Sequence, residues 1–142
     1  MESEKTRAKR LFNNYNLTIQ EWETVNSFQG HKCFICGHAN KRDQRLSTDH
    51  VHDSGLFRGL LCLRCNILLG KIENAFKRYG LHKIEGVTLI GIVLKTAEYL
   101  RSPPAVQALG REVYGWPGRI GTKEHKAFIK RRDKEKAKAN KS

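Results

Sequence analysis

Four cysteines divide into two matched pairs, each with two residues between its members. The pairs are Cys33 with Cys36 and Cys62 with Cys65, and 25 residues separate them. A two-residue gap allows both thiolates of a pair to face one ion at about 2.3 Å, so the spacing predicts a structural Zn²⁺ site. A disulfide framework is the alternative. Residues 1–10 are charged and lack the apolar segment of a secretory signal, so we expect a reducing compartment, where disulfides are rare.

The segment between the cysteine pairs carries Asp49, His50 and His52, and Asn66 directly follows the last cysteine. Phosphodiester hydrolysis needs a water molecule activated near neutral pH, and histidine is the side chain best suited to that task. It also needs positive charge near the phosphate and the leaving oxygen, which Mg²⁺ supplies when oxygen ligands hold it. Asp49 and Asn66 offer two such oxygens, so this group of residues fits phosphodiester hydrolysis.

Asp49 and His50 are neighbours, which sets a condition on the backbone that carries them. Successive residues of a strand point to opposite faces, so the two side chains serve one site only if the strand ends or bulges there. Asn66 has an alternative role as a helix N-cap, a position that asparagine favours. His52 contacts either the scissile phosphate or the turn at Asp53, and the sequence leaves both open.

The predicted zinc site has to bring two short strands and a helix together. Residues 45–50 and 57–61 are the predicted strands, and residues 53–55 have the composition of a turn. Apolar residues recur with a helical period over residues 66–79. Zinc would hold the first strand against the start of this helix.

Residues 1–30 carry the signals of two helices. Thr18 and Glu21 form a capping box, and Leu17 and Trp22 have the spacing of a hydrophobic staple, so a helix starts there. Four apolar residues at near-helical spacing are predicted to lie in the core, namely Ile19, Trp22, Val25 and Phe28. Residues 2–15 have helix-forming composition but few apolar residues, which predicts a loosely attached helix.

Residues 87–100 form the most hydrophobic stretch of the chain. Six of the eight residues from 87 to 94 are large and apolar, and because several are β-branched, a strand is arguable there. We favour one helix, stopped by Pro103 and Pro104, whose apolar surface is too wide for a single buried stripe. The surplus predicts a partner chain, and the alternative is that the zinc domain of the same chain covers it.

The chain is strongly basic, with 27 Lys and Arg against 14 Asp and Glu and a net charge of +13. Residues 111–142 contribute 11 basic and four acidic side chains. Residues 115–118 are a predicted hinge, and residues 123–142 a basic helix or coil. A polyanion such as nucleic acid is the expected partner, although a solubilising tail has the same composition. No stretch approaches 18 apolar residues, so we expect no transmembrane helix and a cytoplasmic protein.

Several motifs occur in a characteristic order: Cys33-Phe-Ile-Cys36, Leu46-Ser-Thr-Asp49-His50-Val-His52, Arg58-Gly-Leu-Leu-Cys62-Leu-Arg-Cys65-Asn66 and Leu69-Gly70. Together they closely resemble the recombination endonuclease VII family of phages, which belongs to the His-Me finger (ββα-metal, HNH-like) nucleases. The resemblance covers about Tyr15 to Leu100, and the basic tail matches only loosely. One departure is Val51, where the family commonly has a polar residue.

The resemblance implies an α+β fold, with a small zinc-stapled ββα-metal core and flanking helices in an intertwined homodimer. It implies four segments along the chain. Residues 1–30 would be a helical lead-in and residues 31–80 the nuclease core. Residues 81–110 would form an apolar dimerisation helix, and residues 111–142 a basic DNA-binding tail.

The resemblance also implies a structure-selective endonuclease that cuts branched double-stranded DNA such as Holliday junctions, leaving 5′-phosphate and 3′-hydroxyl ends. His50 would be the general base, with His52 beside it in the catalytic group. Asp49 and Asn66 would hold Mg²⁺, or Mn²⁺ in its place, and the four cysteines would bind Zn²⁺. Contacts to DNA phosphates are expected from Arg58, Lys126, Lys130, Arg131 and Arg132.

Two other functions share parts of this pattern. An HNH-type nicking endonuclease with little junction preference would have the same active site and would differ only in how it reads DNA shape. A non-catalytic zinc-ribbon module that binds nucleic acid would need neither Asp49 and His50 nor Asn66. The basic tail has two expected partners, DNA and the phage packaging machinery, and the sequence does not choose between them.

Overall fold

The computed structural model of the protein describes residues 1–41, 44–115 and 120–141. The chain forms two compact units, residues 1–89 and 90–142. The elements, in chain order, are α1 (Glu4–Tyr15), α2 (Ile19–Phe28), β1 (Ser47–His50), β2 (Phe57–Leu61), α3 (Leu63–Arg78), a 3₁₀ turn (Leu81–Lys83), α4 (Leu89–Arg101), α5 (Pro104–Leu109) and α6 (Lys123–Ala139). The protein is therefore a small mixed α and β structure with a two-stranded sheet.

Helix α1 is fixed to the first unit, so the predicted loose attachment is wrong. Leu11 is only 1% exposed. The Arg7 guanidinium donates a hydrogen bond of 2.7 Å to Glu23 Oε1 and lies 4.8 Å from the centre of the Trp22 ring. Composition missed this attachment because an arginine counts as polar, although its stem and planar head can pack against an aromatic ring.

Helix α2 begins with the predicted capping box. The Glu21 N–H donates to Thr18 Oγ1 at 3.1 Å, and the Thr18 N–H donates to Glu21 Oε2 at 2.8 Å. Trp22 is buried as predicted, but Phe28 is 86% exposed. Six helical residues turn the chain through about 600°, which places Phe28 about 120° around the axis from Trp22 and off the buried face.

The two strands form an antiparallel hairpin in which Asp49 faces Gly59. The register shifts between Asp49 and His50, so the backbone bulges there. The connecting loop is closed by a hydrogen bond of 2.9 Å from the Val51 N–H to the Leu56 carbonyl. The hairpin contributes two residues of β2 to the core, whose buried members are Leu11, Leu17, Trp22, Cys33, Leu46, Leu60, Leu61, Cys62 and Cys65.

Helix α3 begins at Leu63, three residues before the predicted start, with Cys62 as its N-cap. The Cys62 Sγ accepts a hydrogen bond of 3.4 Å from the Cys65 N–H. Asn66 therefore lies inside the helix, just beyond its first turn, so capping is not its role. Gly80, which follows the helix, has a φ of 74°, a conformation that glycine adopts without a Cβ penalty.

The second unit is helical in the part that the structure describes. The hydrophobic stretch forms helix α4, so the favoured prediction is confirmed over the strand alternative. Thr122 caps α6 by accepting a hydrogen bond of 3.2 Å from the His125 N–H, and the basic tail is a helix over most of its length. Three residues of the predicted hinge, 116–118, lie outside the described residues. None of the described helices has the length and apolar character needed to cross a membrane.

Candidate functional site

The four cysteines converge on one point, as the spacing predicts. Their Sγ atoms all lie within 4.8 Å of one another, and the Cys36 and Cys62 sulfurs are 3.8 Å apart. A tetrahedron with Zn–S bonds of about 2.3 Å has edges of about 3.8 Å. The cluster can therefore hold a metal ion, and its four sulfurs fit structural Zn²⁺.

The sulfurs of this cluster are held in unequal electrostatic environments. Burial raises the pKa of the Cys33 thiol, but backbone N–H groups of Cys36, Cys62 and Ile35 stabilise its thiolate and lower the pKa to about 6. Burial, together with the neighbouring sulfurs, raises the pKa of Cys65 to about 12. A metal ion therefore has to displace the proton of Cys65 when that thiol becomes a ligand.

Two side chains of α2 and the residues after it hold the hairpin in place. The Trp22 Nε1–H donates a hydrogen bond of 3.0 Å to Thr48 Oγ1 on β1. Gln29 binds Leu60 of β2 through both backbone groups, with Nε2 donating to the carbonyl at 2.8 Å and Oε1 accepting from the N–H at 2.9 Å. A Cβ at Gly59 would lie 3.0 Å from Gln29 Oε1, so glycine permits this close approach. Gln29 therefore holds β2 in place, and with it Asp49, which pairs with Gly59 of β2.

Asp49 and His50 meet the geometric condition that the sequence set for them. The bulge falls between these two residues, and Asp49 is buried while His50 is half-buried. The His50 ring lies edge-on to Tyr15 with centroids 5.4 Å apart and edge-on to His52 at 5.0 Å. The bulge thus interrupts the strand alternation that would send these two side chains to opposite faces of the hairpin.

Arg58 links Asp49 to a residue that sequence reasoning missed, Glu73. Its Nε and Nη2 donate to the two Asp49 carboxylate oxygens at 2.7 and 3.0 Å, and its Nη1 donates to Glu73 Oε1 at 2.6 Å. The hydrogen bonds that Arg58 donates to Asp49, and then to Glu73, raise the pKa of Arg58 against the opposing effect of burial. The His52 Nδ1 lies 4.0 Å from Glu73 Oε2. Glu73 and Asn66 are seven residues apart on α3, which is about two helical turns. This spacing puts both residues on one face of the helix and was the signal in the sequence that could have identified Glu73.

Asn66 lies in a cleft beside this network. The cleft has a volume of about 550 Å³, and its walls include Tyr15, Ser47 and Thr48 together with Asn66. Tyr15 also contacts the His50 ring. The structure therefore brings Asp49, His50, His52 and Arg58 into one network, and Asn66 into the adjoining cleft.

The expected DNA-binding residues of the tail lie on α6, in the second unit. Their side chains are exposed, and they are Lys126, Lys130, Arg131 and Arg132. The Arg132 guanidinium donates to Asp133 Oδ1 at 2.9 Å. Helix α6 therefore presents a basic surface.

Comparisons with known proteins add a family to this geometry. A family model described as recombination endonuclease VII matches residues 8–101 of this chain. The Gene 59 protein of Mycobacterium phage D29 is 36% identical over 105 residues, which are 73% of this chain and 55% of that protein. The Gene 59 protein of Mycobacterium phage L5 is 35% identical over the same length, which is 56% of that protein. The chain thus spans little more than half the length of these curated relatives. No solved structure matches it significantly.

Proposed function

This chain belongs to the recombination endonuclease VII family, and from that premise we propose that it is a metal-dependent endonuclease that cuts branched double-stranded DNA. The observation that carries the proposal is the bulge between Asp49 and His50. The bulge interrupts the alternation of side chains, so consecutive carboxylate and histidine residues can serve one site at the end of a hairpin that leads into the cysteine cluster. A module that only binds nucleic acid would not need this arrangement.

His50 is the general base in this proposal. A neutral imidazole accepts a proton from water near pH 7, so the water can attack the phosphorus atom. The edge-on contact with Tyr15, at 5.4 Å, restricts the orientation of the ring. His52, whose ring lies 5.0 Å from that of His50, would face the same phosphate.

Asp49 and Asn66 have the oxygen donors that Mg²⁺ or Mn²⁺ prefers. When bound, such an ion stabilises the charge on the phosphate and on the 3′ leaving oxygen, so the products carry 5′-phosphate and 3′-hydroxyl ends. Both Asp49 oxygens accept hydrogen bonds from Arg58, so a cation bound by Asp49 would compete with the guanidinium for this carboxylate.

Arg58 therefore has two roles in this proposal. In the free protein it neutralises and orients Asp49. Its planar guanidinium also matches a phosphate, so it would contact the scissile phosphodiester once Asp49 is released. Glu73 keeps the guanidinium nearby through the bond to Nη1, at 2.6 Å, and is a positioning residue rather than a catalytic one.

The cysteine cluster is the structural part of the proposed ββα-metal, or His-Me finger, core. Zinc bound by the four sulfurs would join the loop after α2 to the start of α3. The same helix carries Asn66 and Glu73, so zinc sets the position of the helix face that meets the hairpin. Residues 31–80 would form this core, and residues 1–30 the helical lead-in.

A homodimer is the remaining part of the proposal. Residues 81–110 include α4, on which several large hydrophobic side chains are exposed, namely Ile90, Val93, Leu94, Tyr99 and Leu100. Two active sites related by two-fold symmetry would place two nicks symmetrically in a branched substrate such as a Holliday junction. The basic residues of α6 would bind DNA backbone outside the cut site, or a packaging partner.

The test is cleavage of a labelled four-way junction beside a linear duplex of the same sequence, with Mg²⁺ present. We expect paired, symmetric nicks in the junction alone. His50→Ala should lower the rate by roughly 10²–10⁴-fold, the usual effect of removing a general base. His82→Ala, an exposed histidine of the 3₁₀ turn, is the matched control and should cut at the wild-type rate.

The other outcomes separate the competing functions. Equal nicking of junction and duplex would identify a general HNH-type nicking enzyme and would reject branch selectivity. Binding without cleavage in Mg²⁺ and in Mn²⁺ would identify a zinc-ribbon binding module. Full activity of His50→Ala would reject the proposed mechanism.

A further inference from the structure

The cleft that contains Asn66 is lined by three arginines, Arg7, Arg10 and Arg45. Its other polar walls include Asn40 and Thr48. Three guanidinium groups around one open cleft attract an anion, because like charges this close repel one another unless a negative group lies between them. The question is which of the three is available to a ligand.

Arg7 is part of the fold and is not available. Its side chain is only 9% exposed, and it forms an ion pair of 2.7 Å with Glu23. The guanidinium also lies over the ring of Trp22. Reaching a ligand would require Arg7 to leave both contacts.

Arg10 and Arg45 differ from Arg7 because they are exposed and share one small partner, Glu2. Arg10 Nε and Nη2 donate to the two Glu2 carboxylate oxygens at 2.9 and 3.1 Å. Arg45 Nη1 lies 3.8 Å from Glu2 Oε2, and the two arginine side chains are 45% and 50% exposed. The hydrogen bond from Arg10 lowers the pKa of Glu2.

The contact between Arg10 and Glu2 has a geometry that a guanidinium also forms with a phosphate. A guanidinium binds a carboxylate and a phosphate with the same two parallel N–H donors. Glu2 precedes Ser3, the N-cap of α1, so it can move without breaking a helical hydrogen bond. A phosphodiester group could therefore replace Glu2 between the two arginines.

We propose that Arg10 and Arg45 bind a backbone phosphate of DNA beside the catalytic site, and that Glu2 occupies this contact in the free protein. The inference rests on the proposed function, since it takes DNA as the ligand of the neighbouring site. It adds a second contact for the substrate, formed by the lead-in helix and by the segment before β1. Glu2 acts as an internal competitor that lowers affinity for DNA.

The test is DNA binding by the zinc-loaded chain carrying His50→Ala, in buffer without Mg²⁺ or Mn²⁺, so that the DNA stays uncut. Fluorescence anisotropy with a labelled four-way junction gives Kd at several salt concentrations. Arg10→Ala and Arg45→Ala should each weaken binding, and the variant with both changes should reduce the slope of log K against log salt by about 0.9, the value for one lost phosphate contact. Lys9→Ala, from the neighbouring position on α1, is the matched control and should leave the slope nearly unchanged.

Glu2→Gln is the sharper variant because it removes the competitor and leaves the arginines in place. We expect it to tighten binding about two- to fivefold, the scale of an exposed ion pair. Glu85→Gln changes the net charge by the same amount at an exposed loop position and should have little effect. Equal effects of Glu2→Gln and Glu85→Gln would overturn the proposal, as would equal effects of Arg10→Ala and Lys9→Ala.

These outcomes are separable from the proposed cleavage. Arginine-dependent binding by a chain that never cuts DNA would keep the phosphate contact and reject the endonuclease. Cleavage by a chain that is insensitive to Glu2, Arg10 and Arg45 would do the reverse. Thermal unfolding followed by circular dichroism checks that each variant is folded, and Arg45→Gln, which keeps side-chain length, replaces Arg45→Ala if that variant is unstable.

Discussion

Asp49 is buried, and Arg58 donates hydrogen bonds to both of its carboxylate oxygens. The Arg58 side chain is 29% exposed, whereas that of Asp49 is 10% exposed. A carboxylate so enclosed needs a positive partner, because burying an unpaired charge is costly. Arg58 supplies that partner in the free protein, and a divalent cation would supply it in the active one. A divalent cation bound by Asp49 would therefore compete with Arg58 for the same carboxylate.

This competition makes a prediction about metal affinity. Arg58→Ala should raise the affinity for Mn²⁺ by about tenfold, because two positive charges about 4 Å apart repel by about 1 kcal/mol even in water, and the variant removes one of them. Isothermal titration calorimetry of the zinc-loaded chain without DNA measures the effect. Cleavage should fall in the same variant, since the proposed phosphate contact is lost.

Arg78→Ala is the control for Arg58→Ala, since it removes an equal charge from the last turn of α3. It should leave Mn²⁺ affinity nearly unchanged. Unchanged or weaker Mn²⁺ binding by Arg58→Ala would mean that the arginine supports the metal site and does not compete with it.

At the scale of elements, we expect the first unit to depend on a metal ion bound by the cysteine cluster. A two-stranded hairpin is marginally stable alone, and three of the nine residues in the buried core are cysteines. Structural zinc supplies about 10–16 kcal/mol of binding free energy in small domains, which is as large as the whole free energy of unfolding of a typical domain. The arrangement of hairpin and α3 should therefore be lost together with the metal.

Zinc removal tests this dependence. Trp116→Phe leaves Trp22 as the sole tryptophan, and Trp22 is 4% exposed. Treatment with a zinc chelator should shift its emission to longer wavelength as the first unit opens, and Cys36→Ser should show the shifted emission without chelator. If a chromogenic assay detects zinc release while the emission of Trp22 stays unshifted, the core holds without metal and the expectation is wrong.

The elements also show how much of the fold could be predicted from the sequence. The capping box of α2, the cysteine spacing and the helix after the second pair are local patterns, and each was predicted from residues within one turn or loop of one another. Phe28 was misplaced because spacing alone does not say which side of a helix meets the core. The attachment of α1 was missed because Arg7 and Trp22 meet only in three dimensions. The sequence set the condition that the strand ends or bulges between Asp49 and His50, but it did not show which of the two occurs.

At the scale of the whole molecule, the net charge of +13 opposes any association between two copies. Charges of one sign repel over about 8 Å at physiological salt, so a homodimer needs an apolar contact. Helix α4 offers one, because Ile90, Val93, Leu94 and Leu100 follow helical spacing and are 44–73% exposed. Soluble monomers seldom leave such a continuous apolar surface uncovered.

The last prediction concerns this contact. The wild-type chain should be a dimer at micromolar concentration by light scattering after gel filtration, and Leu94→Glu should shift it to a monomer, because a charge would be buried in the apolar contact. Lys95→Glu introduces the same group one residue around the helix and should remain dimeric. A monomeric Leu94→Glu chain with an intact active site should give single nicks in a junction where the wild type gives pairs. A monomeric wild-type chain that still made paired nicks would contradict the dimer and would require each chain to cut twice.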